Sequence, residues 1–572
     1  MIRSISRPFA IISILFAWMV WACSPAAQPT APGEGTAAKP STQQQLSVAP
    51  LEEPGQPGGK LNMAAAVTVF GTLNDPHLVA TFSGRDYSTP IANGIVKRDI
   101  YNVNYPIVPD LAEKWEVSKD GLAYTFTLRQ GIKFHNVAPV NAREFTSEDA
   151  KYTLMRLTAD PSIVPEKSRP RFQRRNDFGF IKSIETPDKY TMVVNMKEPY
   201  SPFLDAVAHG GSLVIPKEFV DKFPDGLILD GMIGTGPYLP DRFIHQQLMT
   251  FKKNPEYWNK DSKGNRLPYL DEVSYVVFGD EQSRLASFRA GQIDTSEITE
   301  PTTLEVIQKE NPGINVLYSP VANLTTFRFN MKLKPFQDVR VRRAVHLVVD
   351  RHQFVELFTF GRGVVAGPIT PLYADQANTM DWLLSQPGYR KDKTQDIAEA
   401  KRLMKEAGYE GGLEIAGLFT AGGTSGDLAA VLADQLKVLS ITLKPELVDY
   451  AGGWVPRSTN GDFELSYMGH TLNVDADSLL SAHLHNEGGR NYGKFDDPKL
   501  NDLIVKQRTT VNLEERKKLV QEAEKYILET APMIFVYQAT RIYMAQPWVH
   551  NVSIVPGLST YNSVDRAWVE KR

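Results

Sequence analysis

Residues 109–135 read PDLAEKWEVSKDGLAYTFTLRQGIKFH, and one alternation inside them sets the character of the chain. Tyr124, Phe126 and Leu128 take turns with Thr125, Thr127 and Arg129. Successive side chains on a strand point to opposite faces, so this period of two predicts a strand buried on one side. The turn signal Lys119-Asp120-Gly121 precedes it, and Trp115 to Val117 fit a partner strand, which makes a hairpin. Just downstream, Thr146 stands three residues before Asp149 and an apolar-periodic run follows (Ala150, Leu154, Leu157). A hydroxyl that caps the first turn and a carboxylate that answers its N–H form a capping box, so a helix is expected over 147–157.

The same alternation of element types continues outward. Strands are expected at KYTMVVNM (189–196), DEVSYVVF (271–278) and GLEIAGLF (412–419). A helix capped by Asp396, with Glu399 at its third position, puts Ile397, Ala400, Leu403, Met404 and Ala407 on one face and stops at Gly408. A charged helix over 513–529 turns Leu519, Ala523, Tyr526 and Ile527 inward, and MIFVY (533–537) follows as a strand. Helices interleaved with strands make the class mixed α/β.

Composition agrees with a large globular core: of 572 residues, 42% are hydrophobic and 23% charged. A formal net charge of −3 provides no pull toward nucleic acid or an anionic membrane surface. The arginine-rich RPRFQRR (169–175) reads as a solvated loop, and no period of 20–50 residues marks a repeat architecture.

The single cysteine, Cys23, closes a leader in which Arg3 and Arg7 precede a short apolar run from Phe9 to Trp21. A membrane span needs about 20 apolar residues, so the run is too short to be one and has the shape of a secretory signal. Val20-Trp21-Ala22-Cys23 resembles a bacterial lipobox, although Trp21 departs from the small residue expected there. Residues 1–22 are therefore expected to be a signal peptide and Cys23 a lipidation site; an ordinary signal peptide with an incidental cysteine is the other reading. Residues 23–57, rich in Pro, Ala, Gln, Thr and Gly, have too little apolar surface to order and read as a tether.

Several segments in one order resemble the extracellular solute-binding proteins of the oligopeptide/dipeptide/nickel type (family 5), which serve ABC importers. They are the hairpin above, FTSEDAKYTLMRL, GTGPY (234–238), KKNPEYW, PYLDEVSYVVF, RLASFRAGQIDTSEI, FNMKLKPFQDVRVRRAVHLVVDR (329–351), AKRLMKEAGYEGG and NYGKFDDPKLNDLI. The resemblance implies a two-lobed periplasmic-binding-protein clamp, type II-like, with an additional small α/β domain. Lobe I would be built from 58–94, 211–320 and a return over 532–572, the small domain from 95–210 and lobe II from 321–531. It also implies a small solute, a peptide above all, held between lobes that close by hinge motion and delivered to the transmembrane subunits of a permease with their ATPases. The protein would be an exported, membrane-anchored monomer with neither cofactor nor nucleic acid as partner.

In peptide-binding members, a carboxylate in the segment after a Gly-Trp pair meets the ligand ammonium. The matching segment here is SYMGHTLNVDADSLL (466–480), where His470 stands in place of Trp and Asn473 in place of that aspartate. An amide does not neutralise an ammonium, so a ligand other than a free-amine dipeptide, or a peptide held by Asp475, is expected. Trp454, Tyr467 and Thr326 complete the candidate ligand-binding set. Arg340, Arg342 and Arg343 read as ion pairs to Asp338 and Asp350 on a solvated face, with Ala344, Val345, Val348 and Val349 inward.

A hydrolase is disfavoured: no Gly-x-Ser-x-Gly elbow, His-Glu-x-x-His helix or phosphate-cradling glycine loop occurs in the sequence. His483 and His485 are too isolated to argue for a metal site and read as surface histidines, and no metal is assigned. A metal chelate or oligosaccharide as ligand, and a sensor on the same fold, remain the alternatives.

Overall fold

The computed structural model describes residues 51–65, 75–78, 87–102, 105–172, 174–223, 231–298, 301–369, 376–471, 475–553 and 564–571. The leader, Cys23, the tether up to residue 50, and Asn473 lie outside them.

After β1 (Lys60–Ala65), the chain builds a small antiparallel sheet from β2 (Ala112–Val117), β3 (Ala123–Leu128), β4 (Ile181–Asp188) and β5 (Thr191–Met196), in the order β2-β3-β5-β4. The hairpin is present, and Tyr124, Phe126 and Leu128 are buried while the threonines between them are half-buried. Helix α1 (Ser147–Leu157) starts at Thr146, whose N–H donates to Asp149 at 2.9 Å in the expected capping box. The small sheet shares one apolar cluster with β1: Phe126 and Leu128 belong with Leu61 and Met63.

A sheet of eleven strands carries the rest. It contains β6 (Tyr238–Ile244), β7 (Leu248–Lys253), β8 (Glu272–Val277), β9 (Thr295–Ile298) and β10 (Asn315–Phe329). Helices α2 (Val339–Val348), α3 (Arg351–Thr359) and α4 (Thr394–Glu406) follow, then β11 (Leu413–Thr420), α5 (Ser425–Leu436), β12 (Ile441–Val448) and β13 (Leu465–Thr471). Helices α6 (Pro498–Thr509) and α7 (Leu513–Thr530) lead into β14 (Met533–Ala545). The strand order is β12-β11-β13-β10-β14-β9-β1-β8-β7-β6, and Val364–Val365 pairs with β14 beside this path.

The two long strands hold the key to the architecture. Residues 315–320 of β10 pair with 540–545 of β14; the register then shifts, and 324–328 pair with 533–538. Each strand thus runs through both half-sheets, and the ladder is interrupted where it passes between them. The fold is the expected two-lobed α/β clamp with a small added domain. In the second lobe, one sheet face packs Phe327 against Val341, Val345, Leu428 and Leu432. The other packs Leu324 and Phe535 against Leu503 and Ile527. Each such side chain contributes about 1.5–3 kcal/mol by leaving water.

Four local expectations need correction. Helix α4 begins at Thr394, one turn early for Asp396, which lies inside the first turn and accepts the Gly388 N–H at 2.8 Å. Gly408 does end that helix, with φ +82°. Within 169–175, Arg174 is not solvated: its guanidinium donates to Ser212 Oγ and the Ala206 carbonyl at 2.9 Å each. Arg340 pairs with Asp338 as expected, but Arg342 is buried and donates to the carbonyls of Phe336 and Thr530. Finally, the last residues assigned to the tether are held in place. Glu52 and Asn551 exchange hydrogen bonds of 2.7 Å in both directions, and Glu53 pairs with Arg566.

Candidate functional site

The register of the long strands points to a candidate site. In the first lobe β1 runs parallel to both β8 and β9, and Ile298, the last residue of β9, pairs with Ile542 on the crossing side of β14. In the second lobe β11 runs parallel to β12 and β13, and Thr471, the last residue of β13, pairs with Asn323 at the register break. The carboxyl ends of both parallel sets therefore point at the crossing of β10 and β14. Ligands of open α/β sheets sit outside such strand ends, where the topology switches direction.

On the second-lobe side, three loops leave these ends. After β11, Ala421 N–H donates to the Val448 carbonyl at 2.6 Å, which ties two of the loops together. After β12, Asp449 accepts the Gly452 N–H at 2.7 Å and starts a tight turn that presents Tyr450, 62% exposed. Its ring lies parallel to that of Trp454 at 5.7 Å. Trp454 is buried and fixed by its indole N–H, which donates to the Tyr467 carbonyl at 3.1 Å. Tyr467, half-buried on β13, stacks on Phe419 of β11 at 6.1 Å. Trp454 and Tyr467 thus serve different apolar clusters: Trp454 packs with Leu418 and Phe463, and Tyr467 packs against Phe327 and Phe419. Tyr450, exposed over Trp454, offers a planar apolar face at these strand ends.

Thr326 and His470 meet on the face of β13 opposite the Tyr467 ring, and Asp475 comes after the strand. Arg328 donates to His483 Nδ1 at 3.3 Å, and His483 Nε2 and His470 Nδ1 are 3.2 Å apart. His470 Nε2 is 2.6 Å from Thr326 Oγ1, whose hydroxyl donates to the Met468 carbonyl. These contacts order into one chain of donors, from guanidinium through two neutral imidazoles to a hydroxyl. Burial, followed by the charges of Arg328 and Arg490, holds His470 well below the usual histidine range. Burial, His470 and the same two arginines do so for His483. Both nitrogens of His470 are thus engaged within the protein. His483 is buried, not a surface histidine, because it completes this chain in a turn and not on a strand.

Asp475 receives two hydrogen bonds from Arg516, at 2.6 and 2.7 Å, with both side chains almost fully enclosed. Burial raises its pKa, but Arg516 outweighs this and holds the carboxyl below its usual range. Asp477, next to it, is pushed up to about 6 by burial and by the charge of Asp475. Arg328, on β10, and Arg516, on α7, are buried neighbours of these residues that sequence reasoning missed. An inward arginine on an otherwise charged helix gives no periodic signal of its own. Among the described residues, no group of three or more His, Cys, Asp or Glu side chains could hold a metal ion. No described helix is long and apolar enough to cross a membrane.

Comparison with known proteins agrees with this geometry. The profile described as "Bacterial extracellular solute-binding proteins, family 5 Middle" matches residues 106–491. The dipeptide-binding protein of Escherichia coli K12 is 26% identical over 492 residues, covering 80% of this chain and 86% of that protein. Heme-binding protein A of Haemophilus influenzae is 28% identical over 473 residues, covering 79% and 80%. The solved structure of HbpA2 from Haemophilus parasuis superposes with a TM-score of 0.74 at 23% identity, covering 90% of this chain and all of that one, and so shares the fold. Strands, crossing and sequence lead to one conclusion: the chain belongs to the bacterial extracellular solute-binding proteins of family 5.

Proposed function

We propose that this protein captures a short peptide between its two lobes and delivers it, unaltered, to a membrane permease driven by ATPase subunits. The observation that carries the reading is the convergence of parallel strand ends from both lobes on the β10–β14 crossing, within a chain related to a dipeptide-binding protein. Closure would bend the two crossing strands near 320–324 and 538–540, with 58–94, 211–320 and 532–572 in one lobe, 321–531 in the other and 95–210 as the added domain. Tyr467 and Trp454 would line the ligand; Thr326, His470 and Asp475 would shape the loops around it, and Asn473 would meet the peptide amino end. An acyl chain on Cys23 would keep the exported monomer at the cell envelope.

Native mass spectrometry of the purified protein tests this directly. A retained mass equal to a short peptide is expected, and dialanine should bind in calorimetry. Retention of a non-peptide compound, with no peptide binding, overturns the reading. One feature favours that second outcome: Asn473 stands where an aspartate would pair an ammonium. Asn473→Asp should tighten binding of free-amine peptides several-fold if the assignment of that position is right.

A further inference from the structure

Helix α7 carries a second buried charge besides Arg516. Glu524 is 1% exposed, and its Oε2 accepts both the backbone N–H of Asn378 at 2.9 Å and the Asn378 side-chain amide at 2.7 Å. The backbone N–H of Ile369 donates to the same carboxyl. One carboxyl therefore receives the chain on both sides of residues 370–375. Space there is tight: a Cβ on Gly367 would lie 3.3 Å from Glu524 Oε1. Gln521 adds a bond from its amide to the Ala377 carbonyl at 2.9 Å.

The tie continues to the ligand side. Gln376 Oε1 accepts the Ala476 N–H at 3.1 Å, and its amide approaches Asp475 Oδ2 at 3.4 Å. Asp475 in turn is clamped by Arg516, two turns up the same helix. Among the described residues, Glu524 has no ion-pair partner. The groups that face it are Lys525 on its own helix and Tyr389 from the turn before α4. Behind the Tyr389 ring lies the Arg351 guanidinium, at 4.1 Å.

We propose that Glu524 is a positioning residue: its proton sets how firmly residues 376–378, and through Gln376 the 475–477 turn beside the ligand, are docked. This rests on the solute occupying the carboxyl end of β13. A buried, ionised carboxylate without an ion-pair partner gains by reaching water, and its N–H donors offset that only in part, so the charged form favours release and the neutral form favours docking. Burial, only partly offset by the Asn378 and Ile369 donors, pushes the Glu524 carboxyl up from 4.5 to about 7. Docking then takes up a proton across that window, and it strengthens as pH falls from 8 to 6 and weakens as pH rises through 7.

Amide hydrogen exchange of the whole soluble chain, corrected for intrinsic rates, reads this out at Ile369, Asn378 and Ala476. About tenfold greater protection is expected at pH 6 than at pH 8. Glu524→Gln, which is neutral at both, should give the pH 6 level throughout. Should that variant not fold, Asn378→Ala, which deletes the side-chain donor, should lower protection at Ile369 several-fold at both pH values. A flat wild-type profile, or Glu524→Gln less protected than wild type at pH 8, overturns the proposal. Dialanine titrated in parallel should bind more weakly at pH 8 in the wild type and equally at both pH values in Glu524→Gln. Unchanged dialanine affinity beside a shifted exchange profile overturns the positioning role. No dialanine binding at either pH counts against the peptide reading alone, and the exchange profile still decides the tie.

Discussion

Two buried arginines in the second lobe are accommodated in opposite ways. Arg516 faces a carboxylate, Asp475, with two short hydrogen bonds. Arg328, equally enclosed, faces Met468 sulfur, a neutral histidine and the Tyr492 ring at 5.2 Å, and among the described residues its Nε has no hydrogen-bond partner. Burial and the charge of Arg490 lower its pKa to about 10, with Tyr492 opposing. The first arrangement is a closed electrostatic unit that holds two segments together. The second depends on its neighbours staying uncharged. The difference separates a fastening from a conditional contact, although both look alike as inward arginines.

Arg516→Met breaks the comparison hardest. It leaves Asp475 and Asp477 buried side by side with only the weaker influence of Arg98 and Arg508, and should lower unfolding stability by about 3–5 kcal/mol in a denaturant titration. Arg516→Met combined with Asp475→Leu should recover most of that. Acid comes next. His470 and His483 are held well below 6.5, so the unfolded chain takes protons that the folded chain refuses once pH drops under that value. Their contribution is complete above pH 6.5 and is lost as pH falls, by about 1.4 kcal/mol per pH unit for each. His483→Gln should flatten a plot of stability against pH below 6.5 by that amount. The smallest effect belongs to Arg328→Met, about 1 kcal/mol at pH 7, because no opposite charge is stranded. The same change should also reduce the acid slope, since it removes a cation that faces both histidines. If Arg328→Met proves as damaging as Arg516→Met, the distinction fails.

The sequence disclosed regular elements far better than the site. The alternation at 124–128, the Thr146/Asp149 cap and the stop at Gly408 are local devices, written in residues that touch one another along the chain. All three stand in the structure as read. Asp396 misled because its carboxylate serves a distant loop at Gly388 instead of the helix start. The site failed for the same reason at larger scale. His483 reads as a surface residue because nothing near it in sequence reveals the partner thirteen positions earlier, reached only when β13 and the 480–484 turn fold together. Glu524 and Arg516 were hidden as well, because a charged helix conceals which of its charges turn inward.

The two long strands have one more consequence, for the order in which the chain can finish. Strand β9 has β1 on one side, and its other neighbour is the final third of β14, residues 542–545. Everything from α2 through α7 is synthesised between those two partners. As the chain emerges, the second lobe can complete most of its core while the first still offers an unpaired backbone edge along β9. A chain ending at Arg541 would keep that edge unpaired, and an unpaired strand edge invites aggregation.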